Sequence, residues 1–151
     1  NPAGVDFCRK RHNLPGLDFV QGNAENLPFA NQSFDAVINI EASLNYPRFP
    51  RFLAEVARVL RPGGHFLYAD VRRRDHIAKW EEELGDAAMR LMSERVIGVQ
   101  VAWALEKNVP RSQEERPRYI PAFFVDRSIV KICNGLRRGD ISYRMCCFTN
   151  D

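Results

Sequence analysis

Short apolar runs alternate along this chain with stretches in which apolar residues recur every three or four positions. Leu17 to Gln21 reads as a strand, entered through a Pro15-Gly16 turn. "FDAVINI", Phe34 to Ile40, is almost continuously apolar, the pattern of a strand buried on both faces. Phe49, Phe52, Leu53, Val56, Val59 and Leu60 then share one stripe of a helix, which Pro62-Gly63-Gly64 stops. "HFLYADV", His65 to Val71, is the next strand. Strand, helix and strand with short joins make a βαβ unit, so the sheet is at least partly parallel. The predicted fold class is α/β.

From His76 the spacing turns helical. Ile77, Trp80, Leu84, Ala88 and Leu91 mark a long amphipathic helix, and Ile97 to Leu105 a second. Lys107 to Arg118 is a polar loop with two prolines, Ser128 to Leu136 a weaker helix, and Ile141 to Phe148 a closing strand entered through Gly139-Asp140. Residues 76–125 therefore read as a helical insertion before the last strand of a single domain, 1–151. The insertion is either a cap over a pocket or a set of plain surface helices. At the other end Asn1 suits a helix N-cap and Pro2 the first helical position, so the chain opens on a helix.

Composition narrows the classes. A length of 151 residues fits one domain, and an apolar share of 45% supplies a core. No run approaches the ~20 apolar residues of a membrane-spanning helix. Arginine provides 18 of the 22 basic residues, but they are scattered and the net charge is only +3, which is no nucleic-acid footprint. Cys8, Cys133, Cys146 and Cys147 form no CxxC pair and no metal-ligand spacing. They read as reduced thiols of a cytosolic protein, with no metal site and no secretory signal peptide.

In a parallel α/β sheet, ligands bind beyond the carboxyl ends of the strands. Asn23-Ala24-Glu25 falls at one such end, and Asn39-Ile40-Glu41 at another. A residue as small as Ala24 lets a flat ligand approach the backbone, and an adjacent amide or acid can bond an exocyclic amine. Such a place suits an adenine ring.

These residues also carry a family resemblance. "GNAENLPFANQSFDAVI" followed by "FLAEVARVLRPGGHFLYAD" resembles the middle motifs of class I S-adenosylmethionine-dependent methyltransferases. More narrowly, "NPAG", "CRKRH", "LPGLDFVQGNAENLPF", "INIEAS", "YPRFPRFLAEVARVLRPGG" and the tail "SYRM" resemble the mycobacterial phthiotriol/phenolphthiotriol dimycocerosates methyltransferases, with glycopeptidolipid enzymes behind them. The resemblance covers nearly the whole chain and thins from Arg72 to Arg127. It implies a Rossmann-like sheet, S-adenosylmethionine as cofactor, and methyl transfer to a hydroxyl of a cell-envelope lipid. It also implies a cytoplasmic location, with or without peripheral contact with the membrane. The family's glycine-rich loop and ribose-binding acid should precede Asn1. The expectation is therefore a truncated sheet without its first two strands, binding cofactor poorly as the chain stands.

Carried onto single residues, the resemblance puts Asn23, where relatives have Asp, against the adenine amine, with the Ala24 backbone at the ring and Glu25 close by. Asn39, Ile40 and Glu41 match the strand end that lies along the methionine part of the cofactor. Asn23 as a cap of the turn to Leu27, and Glu41 as an ordinary loop carboxylate, are the competing readings. A hydroxyl acceptor needs a base. Relatives often carry a His just past "EAS", where this chain has Leu44 and Asn45. Glu41 is then the first candidate base, with Asp70 and His76 behind it and Tyr46 as a hydrogen-bonding positioner. A methyltransferase of another small molecule, such as a quinone or sugar, and a non-catalytic paralogue remain open alternatives.

Overall fold

The computed structural model describes residues 2–109 and 122–151. Helix α1 (Pro2–Arg11) is followed by strand β1 (Phe34–Ile40), a 3-10 turn (Ser43–Asn45), helix α2 (Phe49–Val59) and strand β2 (Leu60–Arg73). Helix α3 (Arg74–Gly85), strand β3 (Arg90–Val96), helices α4 (Gly98–Lys107) and α5 (Ala122–Arg138) and strand β4 (Ile141–Thr149) complete the order. The sheet runs β1-β2-β4-β3. β1 and β2 are parallel, and β4 lies antiparallel to both β2 and β3.

The βαβ unit forms, but α2 ends at Val59, so Leu60 and the expected stop Pro62-Gly63-Gly64 belong to β2, which begins five residues before His65. α2 turns Phe49, Phe52, Leu53, Val56 and Val59 inward. The first four pack in one core with Phe66 and Tyr68 of β2, with the Phe52 and Phe66 rings edge-on at 5.9 Å. Burying each such side chain contributes roughly 1.5–3 kcal/mol. Gly64 is required in the first part of β2, because a Cβ there would lie 2.9 Å from the Arg61 carbonyl and 3.1 Å from that of Asp35. On the opposite face of the sheet Ala102 of α4, Cys133 and Leu136 of α5 and Tyr143 of β4 form a second core.

Three expectations fail. Leu17 to Gln21 is not a strand, because no ladder partner lies beside it among the described residues, and Leu17 and Val20 are exposed. β1 is not buried on both faces: Ile38 and Ile40 are exposed, since no described element covers that side. The long helix does not reach Leu91. α3 ends at Gly85, and residues 90–96 pair with the edge of β4 instead. The insertion thus contains a strand as well as helices. From residue 110 on, the expected polar loop lies outside the described residues, as does the proposed cap at Asn1.

Candidate functional site

The carboxyl ends of β1 and β2 point the same way, and the antiparallel β4 begins at that end of the sheet, with Tyr143 opposite Val71. Asn39 and Glu41 sit there as the sequence predicts. Asn39 is buried, and its Nδ2 donates to the Tyr46 hydroxyl at 2.9 Å. Its Oδ1 is buried with no hydrogen-bond partner among the described residues. An orphan amide oxygen is costly, and an N–H from a bound ligand would satisfy it. Ile40 beside it is exposed.

Glu41 has φ +50, a left-handed conformation that non-glycine residues seldom adopt. Its backbone N–H donates to the Ala69 carbonyl at 2.9 Å, and its Oε1 accepts from the Tyr143 hydroxyl at 2.6 Å. Burial, then the hydrogen bond to Glu41, pushes the Tyr143 pKa up, so that hydroxyl keeps its proton. Nothing in the periodicity of the sequence pointed to Tyr143. Its motif "SYRM" was visible, but a partner 102 residues away was not.

The Asn23-Ala24-Glu25 segment is tied into the fold more than expected. Asn23 Oδ1 accepts from the Glu25 N–H at 2.9 Å, which closes the turn. Glu25 is 5% exposed, and its two oxygens take the Arg48 N–H and Nε at 2.8 Å each. The Arg48 N–H is the first cause holding its carboxyl below the ordinary value, the guanidinium a further one. Ala24 packs, half-buried, on the core between α2 and the sheet. Both oxygens of Glu25 therefore serve Arg48, while Ala24 keeps the small surface the sequence suggested.

Asp70 and His76 part company. His76 is exposed, 3.8 Å from Asp75. Asp70 is fully buried at the end of a directed chain of donors. Trp80 Nε1 can only donate, so the Tyr68 hydroxyl accepts from it at 3.0 Å and gives its own proton to Ser43 Oγ at 2.7 Å. Ser43 in turn donates to Asp70 at 2.5 Å. Arg72 closes the group, 3.2 Å from Asp70 and 4.9 Å above the Trp80 ring. Burial pushes the Tyr68 pKa up to about 12. Asp70 is thus spoken for structurally.

Between Ser43, Tyr46, Phe49, Trp80, Ile132 and Ile141 lies a cavity of about 590 Å³. Its walls are mostly apolar, and Arg72, His76 and Lys79 line it too. All four cysteines are free thiols. Among the described residues no helix is long and apolar enough to cross a membrane, and no cluster of His, Cys, Asp and Glu is suited to a metal ion.

Residues 1–68 match the methyltransferase domain family. The phthiotriol/phenolphthiotriol dimycocerosates methyltransferase 1 of Mycobacterium ulcerans is 51% identical over 154 aligned residues, covering 100% of this chain and 57% of that protein. The corresponding Mycobacterium tuberculosis protein is 49% identical, over 100% of this chain and 58% of its own length. A fatty-acid O-methyltransferase of Mycolicibacterium smegmatis is 46% identical, over 98% and 56%. The chain thus spans little more than half the length of the curated relatives it matches. In shape it is similar to a geranyl diphosphate C-methyltransferase from Streptomyces coelicolor, solved with S-adenosyl-L-homocysteine (TM-score 0.74, 12% identity, 99% of this chain and 62% of that one). It is similar also to the [4+2]-cyclase SpnF (TM-score 0.70, 19% identity, 98% and 62%). At such identities the likeness shows the fold alone, and a cyclase among the neighbours underlines that fold does not fix chemistry.

Proposed function

We propose, for a chain with the class I methyltransferase fold and a methyltransferase domain match over residues 1–68, that it transfers a methyl group from S-adenosylmethionine to a hydroxyl of a long-chain lipid. The observation that carries this reading is the 51% identity along the whole chain to a dimycocerosate methyltransferase.

The residues at the carboxyl end of β1 fit the cofactor. The orphan Asn39 Oδ1 suits an N–H donor, and the backbone at Ile40 lies along the same strand end. Asn23 would meet the adenine amine only by sharing the oxygen that now closes its own turn. Glu25 has both oxygens committed to Arg48. When bound, the cofactor supplies a methyl group on a positively charged sulfur.

What the chain itself supplies is alignment and a place for a proton. Glu41 presents a carboxylate at the strand end, and its Oε2 takes the hydroxyl proton as the acceptor O–H bond breaks. The apolar cavity beside Ser43 and Trp80 shelters the alkyl chain. Tyr46, on its rim and bonded to Asn39, links the cavity to the strand end.

A second reading follows from the Mycolicibacterium smegmatis relative: an acceptor that is a fatty-acid carboxylate. Such an acceptor brings no proton to remove, and the charge of Glu41 opposes it. The exposed Glu41 carboxylate therefore favours the neutral hydroxyl. The test supplies methyl-labelled S-adenosylmethionine with a long-chain 1,3-diol or a long-chain fatty acid and follows the label by mass spectrometry. Label in an ether of the diol is expected. Label only in the methyl ester of the acid would replace this reading with the second.

A further inference from the structure

We infer that Tyr143 is a positioning residue that aims the Glu41 carboxylate at the acceptor hydroxyl; the inference rests on the proposed role of Glu41 as base. Glu41 follows β1 directly and would otherwise be an unrestrained side chain on an exposed bend. Instead it stands at φ +50, a backbone state that side-chain-bearing residues rarely keep unless something holds them there. Two bonds do so, from its own N–H to the Ala69 carbonyl at 2.9 Å and from the Tyr143 hydroxyl to Oε1 at 2.6 Å.

Tyr143 is well built for the task. The antiparallel direction of β4 sets it opposite Val71, at the end of the sheet where β1 and β2 finish. Its ring is 8% exposed and packs with Ala102, Cys133 and Leu136, so α4, α5 and the sheet together fix it. The hydroxyl takes only Oε1. Glu41 Oε2 has no hydrogen-bond partner among the described residues and is left to receive a proton. A donor that keeps its proton holds one oxygen of the base without competing for the other.

The test is a double-mutant cycle on the complete gene product, with a long-chain 1,3-diol in detergent micelles as acceptor. Tyr143→Phe keeps the packed ring and removes the hydroxyl. It is expected to lower kcat about tenfold, leave the KM for the diol and the melting temperature unchanged, and have no further effect when Glu41 is already Gln. Unchanged kcat in Tyr143→Phe, or an equal loss in both backgrounds, would overturn the inference while leaving Glu41 as the base. Full kcat in Glu41→Gln would overturn the base assignment and this inference with it. Should Tyr143→Phe melt below the assay temperature, Glu41→Asp answers instead. Its shorter carboxylate leaves the reach of Tyr143, so the same loss of kcat is expected, and unchanged kcat overturns the inference.

Discussion

At Asn23, a single oxygen is asked to do two things. Its Oδ1 closes the turn through the Glu25 N–H, so Asn23→Ala should cost about 1 kcal/mol in chemical denaturation. Asn23→Asp keeps an acceptor for the turn and offers a second oxygen, and should tighten S-adenosylhomocysteine binding in calorimetry. Unchanged affinity would assign Asn23 to the turn alone. Glu25 and Glu55 make a separate case. Both carboxyls lie below their ordinary value of 4.5, Glu25 through Arg48 and Glu55 first through its hydrogen bond from Arg58. A carboxyl whose pKa is lower folded than unfolded contributes stability above the unfolded value and loses it as pH falls through the folded one. The melting temperature should therefore hold between about pH 7 and 5 and drop below about 4.5, and Arg48→Met should shrink that drop. An equal drop in the variant would remove the Arg48 guanidinium from the account and leave the effect to the backbone N–H, which the variant keeps.

Among the elements, α2 was legible and the region after it only partly so. The α2 stripe is the kind of three-and-four spacing that one buried face imposes, and Phe49, Phe52, Leu53, Val56 and Val59 in it are buried on the helix, while Leu60, counted with them, is buried as the first residue of β2. Past Trp80 the same spacing misled. Ala88 and Leu91 continue the helical count by coincidence, while Gly85 and Asp86 end α3, and residues 90–96 are drawn into an edge strand by the open side of β4. That pairing lies far off in sequence, and strand β3 is exposed along its length, so it carries no alternating apolar signal. The two tryptophans divide accordingly. Trp80 is 1% exposed and donates to Tyr68, so Trp80→Ala should cost about 3–5 kcal/mol. Trp103 on α4 is 59% exposed, and Trp103→Ala should stay within about 0.5 kcal/mol of the parent. If the exposed ring of Trp103 meets lipid, its loss raises the KM for the diol and leaves cofactor affinity alone. Unchanged KM would make α4 scaffold only.

For the molecule as a whole, the sheet brings to one end what the chain keeps apart. Glu41 and Tyr143 are 102 residues distant in sequence and 2.6 Å apart in space. The sequence showed Asn39, Ile40 and Glu41 at a strand end, because the apolar run of β1 is a local pattern, whereas Ala24 was placed at the end of a strand that does not form. Tyr143 and the Trp80–Tyr68–Ser43–Asp70 chain were hidden, because strand order and direction decide them. The claim that joins fold to function is that Glu41 removes a proton from a neutral acceptor. It is tested most directly by measuring kcat of Glu41→Gln in the complete gene product, once with a long-chain 1,3-diol and once with a long-chain fatty acid. A loss of about 100-fold or more with the diol, and little or none with the acid, is the predicted result. Equal rates for parent and variant with the diol would contradict it.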